Sequence, residues 1–187
     1  MKNSNSLRFQ TALAVTLKIH AGQKRKGDNA TPYAVHPISV ALLLMHYLCS
    51  EDVAIAGLLH DALEDTDFSP QQIKKRFGVK VLKLVQEVSD KRPNDPWGVR
   101  KVAYLKHLRS ASKDACLIAC ADKINNLTSM MEAYRKQGNS LWKRFNASKE
   151  DKLAFYESVY MESRKRFKHP LIEELGMTLR RAGSVLK

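Results

Sequence analysis

Six ionisable side chains stand where the hydrophobic pattern of this sequence favours apolar ones. The segment Val53 to Leu59 is apolar all round, the mark of a buried helix, and runs directly into His60, Asp61, Glu64 and Asp65. At 3.6 residues per turn, Glu64 falls one turn beyond His60 and Asp61, and Asp65 one turn beyond Asp61. The four therefore share one side of a helix end. A second apolar run, Cys116 to Ala121, ends in Asp122, and Asn126 lies a turn further on the same face. A third, Ile38 to Leu48, has His36 at its mouth. An uncompensated carboxylate is costly to bury and is normally paired, protonated or metal-bound. Two imidazoles and two aspartates at the ends of helices that pack together form a common ligand set for a divalent first-row ion. His36, His60, Asp61 and Asp122 are thus candidate metal ligands. Glu64 and Asp65 remain as free carboxylates beside the ion, suited to acid–base chemistry.

Taken singly, each feature has a plainer reading. A His–Asp pair at a helix end is usually structural, and Asp122 could cap a helix or pair with a lysine. Lys24-Arg25-Lys26 could be a solvated loop or a phosphate contact. Cys116 and Cys120, one turn apart, lack the second ligand pair of a zinc site. His20, His46, His107 and His169 show no partner pattern. The combination is what favours a site.

Helices must position these residues, because the periodicity is helical nearly throughout and no stretch alternates convincingly at period two. The pattern predicts helices over Leu7 to His20, Pro37 to Leu48, Glu51 to Asp65 and Val79 to Ser89. Others follow at Gly98 to Ser110, Lys113 to Lys136, Ser148 to Lys168 and Leu171 to Leu186. Ser69-Pro70-Gln71-Gln72 reads as N-cap, N1 proline and capping-box partner of a short helix ending near Gly78. Loops are expected from Gln23 to His36 and from Asp90 to Trp97. The expected fold is all-α: one compact bundle of about eight or nine helices over residues 1–187. Its core spans about 7–167, and a basic helical tail covers 168–187.

A hydrophobic share of 44% over 187 residues is enough for a core and argues against disorder. No apolar run approaches the roughly 20 residues needed to span a bilayer. Met1 to Leu7 lacks the apolar stretch of a signal peptide, and three cysteines without a paired framework suit a reducing cytoplasm. The net charge of +13, from 32 Lys and Arg against 19 Asp and Glu, attracts polyanions. Nucleic acid, an anionic membrane and a multiply phosphorylated small molecule all fit that charge.

The pattern His36, His60-Asp61, Asp122 resembles the metal site that defines the HD phosphohydrolase superfamily. The surrounding motifs are similar to the hydrolase domain of RelA/SpoT enzymes: His20 to Gly27, Pro32 to Pro37, Leu59 to Thr66, Phe77-Gly78 with Val81 and Val85, and Ala121 to Asn126. The resemblance covers about Leu7 to Phe167. At this length the chain resembles the stand-alone small alarmone hydrolases, which lack a synthetase domain. The resemblance implies an HD-domain fold, a divalent metal (usually manganese), and the 3′-pyrophosphate of ppGpp or pppGpp as scissile group. GDP or GTP and pyrophosphate would be the products. By motif position, Glu64 and Asp65 match catalytic carboxylates, Arg25 and Lys26 the loop that meets the nucleotide, and Asn126 a ribose- or base-side contact. Arg100 and Lys101 fall where basic residues meet distal phosphates, and Phe155 or Tyr156 borders the nucleotide pocket. Two departures stand out. Asn125 occupies a position where His or Tyr is commoner, and Thr128-Ser129 replaces an Arg-Thr pair, with Ser129 still counted among substrate contacts.

Rival readings are an HD hydrolase of an adenosine alarmone or of the NADPH 2′-phosphate, and a silent nucleotide- or nucleic-acid-binding module. The chain lacks a nucleic-acid recognition motif and a clear stacking platform, which disfavours the last. The expected partner is therefore a small nucleotide, with no membrane role. The basic tail could be a self-association helix of a homo-oligomer or simply solvated.

Overall fold

The computed structural model of the protein describes residues 6–26, 28–90 and 95–187. In chain order the elements are α1 (Leu7–Ile19), β1 (Lys24–Arg25), β2 (Asp28–Pro32), α2 (Val35–His46), α3 (Glu51–Leu59), α4 (Ala62–Asp65), α5 (Pro70–Phe77) and α6 (Val79–Val88). Then come α7 (Trp97–Leu108), α8 (Lys113–Gln137), a 3-10 helix (Gly138–Arg144), α9 (Lys149–Arg166) and α10 (Pro170–Val185). Serines open several of these helices, because their hydroxyls accept from otherwise orphaned amides. Ser6, Ser112 and Ser148 do so at α1, α8 and α9. Ser69 and Gln72 form the complete capping box expected at α5, with Pro70 behind the cap.

Helix α8 is the axis of the molecule. Every residue from Ala115 to Ile124 is buried, and α2, α3, α6, α9 and α10 all pack against it. Helix α3 is buried from Val53 to Leu59 and lies against α2. Gly57 permits that approach, since a Cβ there would stand 2.6 Å from Leu44 Cδ1 and 3.6 Å from the Ala41 backbone. The C-terminal helix α10 is sealed into the same core through Leu171, Ile172, Leu175 and Ala182. Its outer face, with Glu173, Met177, Arg180 and Arg181, is exposed. A solvated tail is therefore not what the last helix forms.

Two local features depart from the helical expectation. The helix expected over Glu51 to Asp65 is interrupted at His60 and Asp61, so ten α-helical segments occur among the described residues. His60 Nδ1 lies 2.8 Å from Gly57 O, the carbonyl that would receive the Asp61 amide in an unbroken helix. The loop expected from Gln23 to His36 contains an antiparallel hairpin, pairing Arg25 with Asp28 and Lys24 with Pro32 around an irregular register. So short and polar a hairpin has no alternation to display. Residues 91–94 of the expected Asp90 to Trp97 loop, and Gly27 of the first loop, lie outside the described residues.

Candidate metal centre and active site

His36 enters from the first turn of α2, His60 from the break after α3, and Asp122 from the middle of α8. Donor atoms of these three buried residues lie within 4.8 Å of one another. His36 Nε2 stands 3.2 Å from Asp122 Oδ1 and 3.6 Å from Asp61 Oδ2. His60 Nε2 stands 3.1 Å from Asp61 Oδ2 and 3.9 Å from Asp122 Oδ1. Each ring is held from behind. His36 Nδ1 meets Asn125 Oδ1 at 2.7 Å, and His60 Nδ1 meets the Gly57 carbonyl. Both acceptors place the hydrogen on Nδ1 and leave a lone pair on Nε2, the tautomer that a metal requires.

The donor set fits a divalent ion on two grounds. Buried His60 Nε2 faces Asp61 Oδ2 at 3.1 Å without a well-aligned hydrogen bond, although buried polar atoms are normally satisfied. The charge balance points the same way. Burial alone would depress the His60 pKa, yet Asp61 and Asp122 push it up to about 9. Carboxylates that hold a proton this firmly would favour a cation in its place.

Around this cluster the polar groups are cross-braced. Tyr33 Oη lies 2.5 Å from Asp61 Oδ2 and 3.0 Å from Asp65 Oδ2, so one hydroxyl links a candidate ligand to a second carboxylate. Lys123 donates to Asp122 Oδ2, and Asn126 donates its amide to Asp122 Oδ1. Arg25 Nη2 in turn donates to Asn126 Oδ1 at 2.9 Å and stacks over Tyr33. Glu64 Oε1 accepts from the Asp90 amide at 2.6 Å. Burial and the nearby Asp61 raise the Glu64 pKa to about 7, and the same two causes raise that of Asp65. Glu64 can therefore exchange a proton near neutral pH. Thr66 is structural: its hydroxyl donates to Ala62 O and accepts from the Phe68 amide.

A cavity of about 570 Å³ opens above the cluster. All the substrate-side residues singled out in the sequence line it, namely Arg25, Lys26, Arg100, Lys101, Asn126, Ser129 and Tyr156. Arg100 and Lys101 also bind Asp90, through Nε at 2.7 Å and Nζ at 3.4 Å. Other lining residues carried no role in the sequence reading. Lys152, 4.4 Å above the Phe145 ring, has its pKa lowered to about 8 by burial and by neighbouring Lys123. Lys123 lies over the Tyr104, Phe155 and Tyr156 rings. A lysine on an amphipathic helix looks like any solvated lysine, so Lys152 gave no signal. Asp90 did give one: an acid just past a helix C-terminus opposes the helix dipole and needs a cationic partner.

A predominantly helical bundle thus focuses two histidines and buried aspartates, a donor set suited to a divalent ion, beneath a cavity with cationic walls suited to a phosphorylated ligand. The chain belongs to the HD domain family, whose pattern it matches over residues 12–151. Within that family it is similar to the human guanosine-3′,5′-bis(diphosphate) 3′-pyrophosphohydrolase MESH1, at 39% identity over 110 residues. That stretch covers 58% of this chain and 61% of the human protein, so the chain spans somewhat under two thirds of that relative. A guanosine-3′,5′-bis(diphosphate) 3′-pyrophosphohydrolase of Aquifex aeolicus is 34% identical over 124 residues, covering 65% of this chain and 18% of that longer protein. The solved structure of a metazoan ortholog of SpoT, described as hydrolysing ppGpp and acting in starvation responses, superposes with a TM-score of 0.79 at 29% identity. The superposition covers 97% of this chain and 98% of that one. No helix among the described residues is long and apolar enough to cross a membrane.

Proposed function

We propose that this protein hydrolyses the 3′-pyrophosphate of guanosine alarmones, converting ppGpp or pppGpp to GDP or GTP and pyrophosphate, with a divalent ion held by His36, His60, Asp61 and Asp122. One observation carries this reading: a single cavity has metal-type donors at its floor, a carboxyl that titrates near neutrality beside them, and cations along its walls. The resemblance to proteins named for that reaction supplies the substrate. A mixed imidazole and carboxylate donor set is compatible with manganese, our choice of metal. Free cysteines at positions 49, 116 and 120 suit a reducing cytoplasm.

When bound, the ion supplies Lewis-acid stabilisation of charge developing at the scissile phosphate and lowers the pKa of water. The remaining work belongs to the chain. Glu64 is the general acid/base: the Asp90 amide fixes Oε1, leaving Oε2 to exchange the proton. Asp65, tethered through Tyr33, orients that exchange. Arg25, already braced on Asn126, offers a bidentate fork to a phosphate, while Lys26, Lys101 and Lys152 act as point charges. Tyr156 and Phe155 form the apolar wall for the nucleoside, with Asn126 and Ser129 as polar contacts.

The test is chromatography of products from ppGpp, pppGpp, pppApp and NADPH, with manganese and with chelator. GDP and pyrophosphate should form from ppGpp only when a divalent ion is present. Turnover of NADPH or pppApp alone would overturn the guanosine assignment. His60→Ala should lose bound metal and at least ~100-fold in activity, more than loss of an outer partner costs. A fully active, metal-free variant would refute the metal site.

A further inference from the structure

Helix α6 ends at Val88, and Ser89 closes it by donating its hydroxyl to Val85 O at 2.8 Å. The next residue, Asp90, carries a carboxylate only 4% exposed at the negative end of that helix. Burying a charge there requires strong partners. Arg100 Nε at 2.7 Å and Lys101 Nζ at 3.4 Å provide them, both from the first turns of α7. The main chain of the same residue faces the other way, giving its N–H to Glu64 Oε1 at 2.6 Å. Arg100 Nη2 closes the circuit 4.0 Å from Glu64 Oε2.

We propose that Asp90 is a two-handed positioning residue, its amide fixing the Glu64 carboxyl and its carboxylate holding Arg100 and Lys101 along the cavity wall to receive substrate phosphates. This rests on the roles given above to Glu64, Arg100 and Lys101. The need for a holder follows from the surroundings. Lys101 shares its aromatic floor, Tyr104 and Phe155, with Lys123, so two like charges crowd one patch. Without an acid between them, Arg100 and Lys101 would swing outward on flexible stems. Binding a phosphate would then cost the ordering of both side chains. With Asp90 in position that ordering is complete before substrate arrives.

Substitutions at this one position separate the two functions. Asp90→Ala keeps the amide and loses the carboxylate, and should raise KM roughly tenfold with kcat little changed, the pattern of lost uniform binding. Asp90→Asn retains an oxygen for Arg100 Nε and should recover most of that loss. Asp90→Pro removes the N–H as well. Ser89, at φ −78° and ψ 141°, already has the extended conformation that a following proline demands. Relative to Asp90→Ala, it should lower kcat by a further factor of about ten, the scale of one hydrogen bond to a charged group.

Two measurements need no turnover. Calorimetric affinity of the manganese-loaded protein for inorganic pyrophosphate should fall in Asp90→Ala and return in Asp90→Asn. Amide exchange followed by NMR should show the Asp90 N–H losing protection in Glu64→Ala. If wild-type protein turns over none of the nucleotides, the proposed reaction fails while these two measurements still judge Asp90. Unchanged or tightened binding in Asp90→Ala, or an Asp90 amide indifferent to Glu64→Ala, would overturn the proposal.

Discussion

The floor and the walls of the cavity are built on different principles. At the floor, His36, His60 and Asp122 come from α2, the break after α3 and α8, all in buried surroundings, and each donor is held by a second group. Rotamer freedom there is removed by packing before any ligand binds. The walls are lined by long side chains, of which Arg25 and Lys26 ride on or beside a two-stranded hairpin and Lys152 on the first turn of α9. Their charges are tempered by water and by one another. The floor is thus suited to chemistry, where sub-ångström placement counts, and the walls to capture, where charge counts more than position.

Substitutions can break or sharpen this division. The largest effect is expected for Glu64→Gln, with kcat falling by ~10²–10⁴, the usual weight of a general acid or base. The wild-type kcat/KM profile should bend where Glu64 titrates, at a pH below the metal-free value of about 7 because a bound cation offsets the Asp61 charge, and that bend should vanish in the variant. The stability consequence has the opposite sign. A carboxyl whose folded pKa is raised from 4.5 to about 7 contributes stability below pH 4.5 that is lost as pH rises through 7. In metal-free protein above pH 7, Glu64→Gln should therefore be more stable than wild type, by at most about 3 kcal/mol, with no difference near pH 4. Thermal melts across this range check it.

Tyr33→Phe should be next, reducing kcat by roughly ten- to a hundredfold as Asp61 and Asp65 lose their shared hydroxyl, with KM little moved. A change confined to KM would assign Tyr33 to capture. The smallest effect belongs to the wall. Lys152→Ala should raise KM about three- to fivefold, the scale of a part-exposed charge contact, and flatten its salt dependence with kcat intact. A large kcat loss there would erase the distinction between floor and walls.

The same division governs what the sequence disclosed. His36, His60, Asp61, Glu64, Asp65 and Asp122 were visible because they interrupt apolar helices, and burial makes such interruptions costly. Most helices were visible too, through their periodicity and the Ser69 capping box. The break at His60 was not, since it depends on a side chain reaching a carbonyl within its own turn. The hairpin was too short to announce itself. Arg25, Lys26 and Tyr156, and the role of Asn126, were identified through family resemblance, because no break in an apolar pattern marks them. Lys152 escaped even that, and Asp90 was marked only by its place past the end of a helix. Their meaning lies in partners on neighbouring segments, Phe145 just before α9 for Lys152 and Arg100 on the following helix for Asp90, which helical spacing does not bring together.

Gly57 has a consequence beyond letting two helices touch. His36 rides on α2 and His60 follows directly on α3, so the spacing of those helices is also the spacing of the two imidazoles, whose ring centres stand 5.0 Å apart. The missing methyl group thereby acts as a calliper setting. It sets the opening between the rings, and with it the size of any cation they could share, from a point on the backbone that carries no donor side chain.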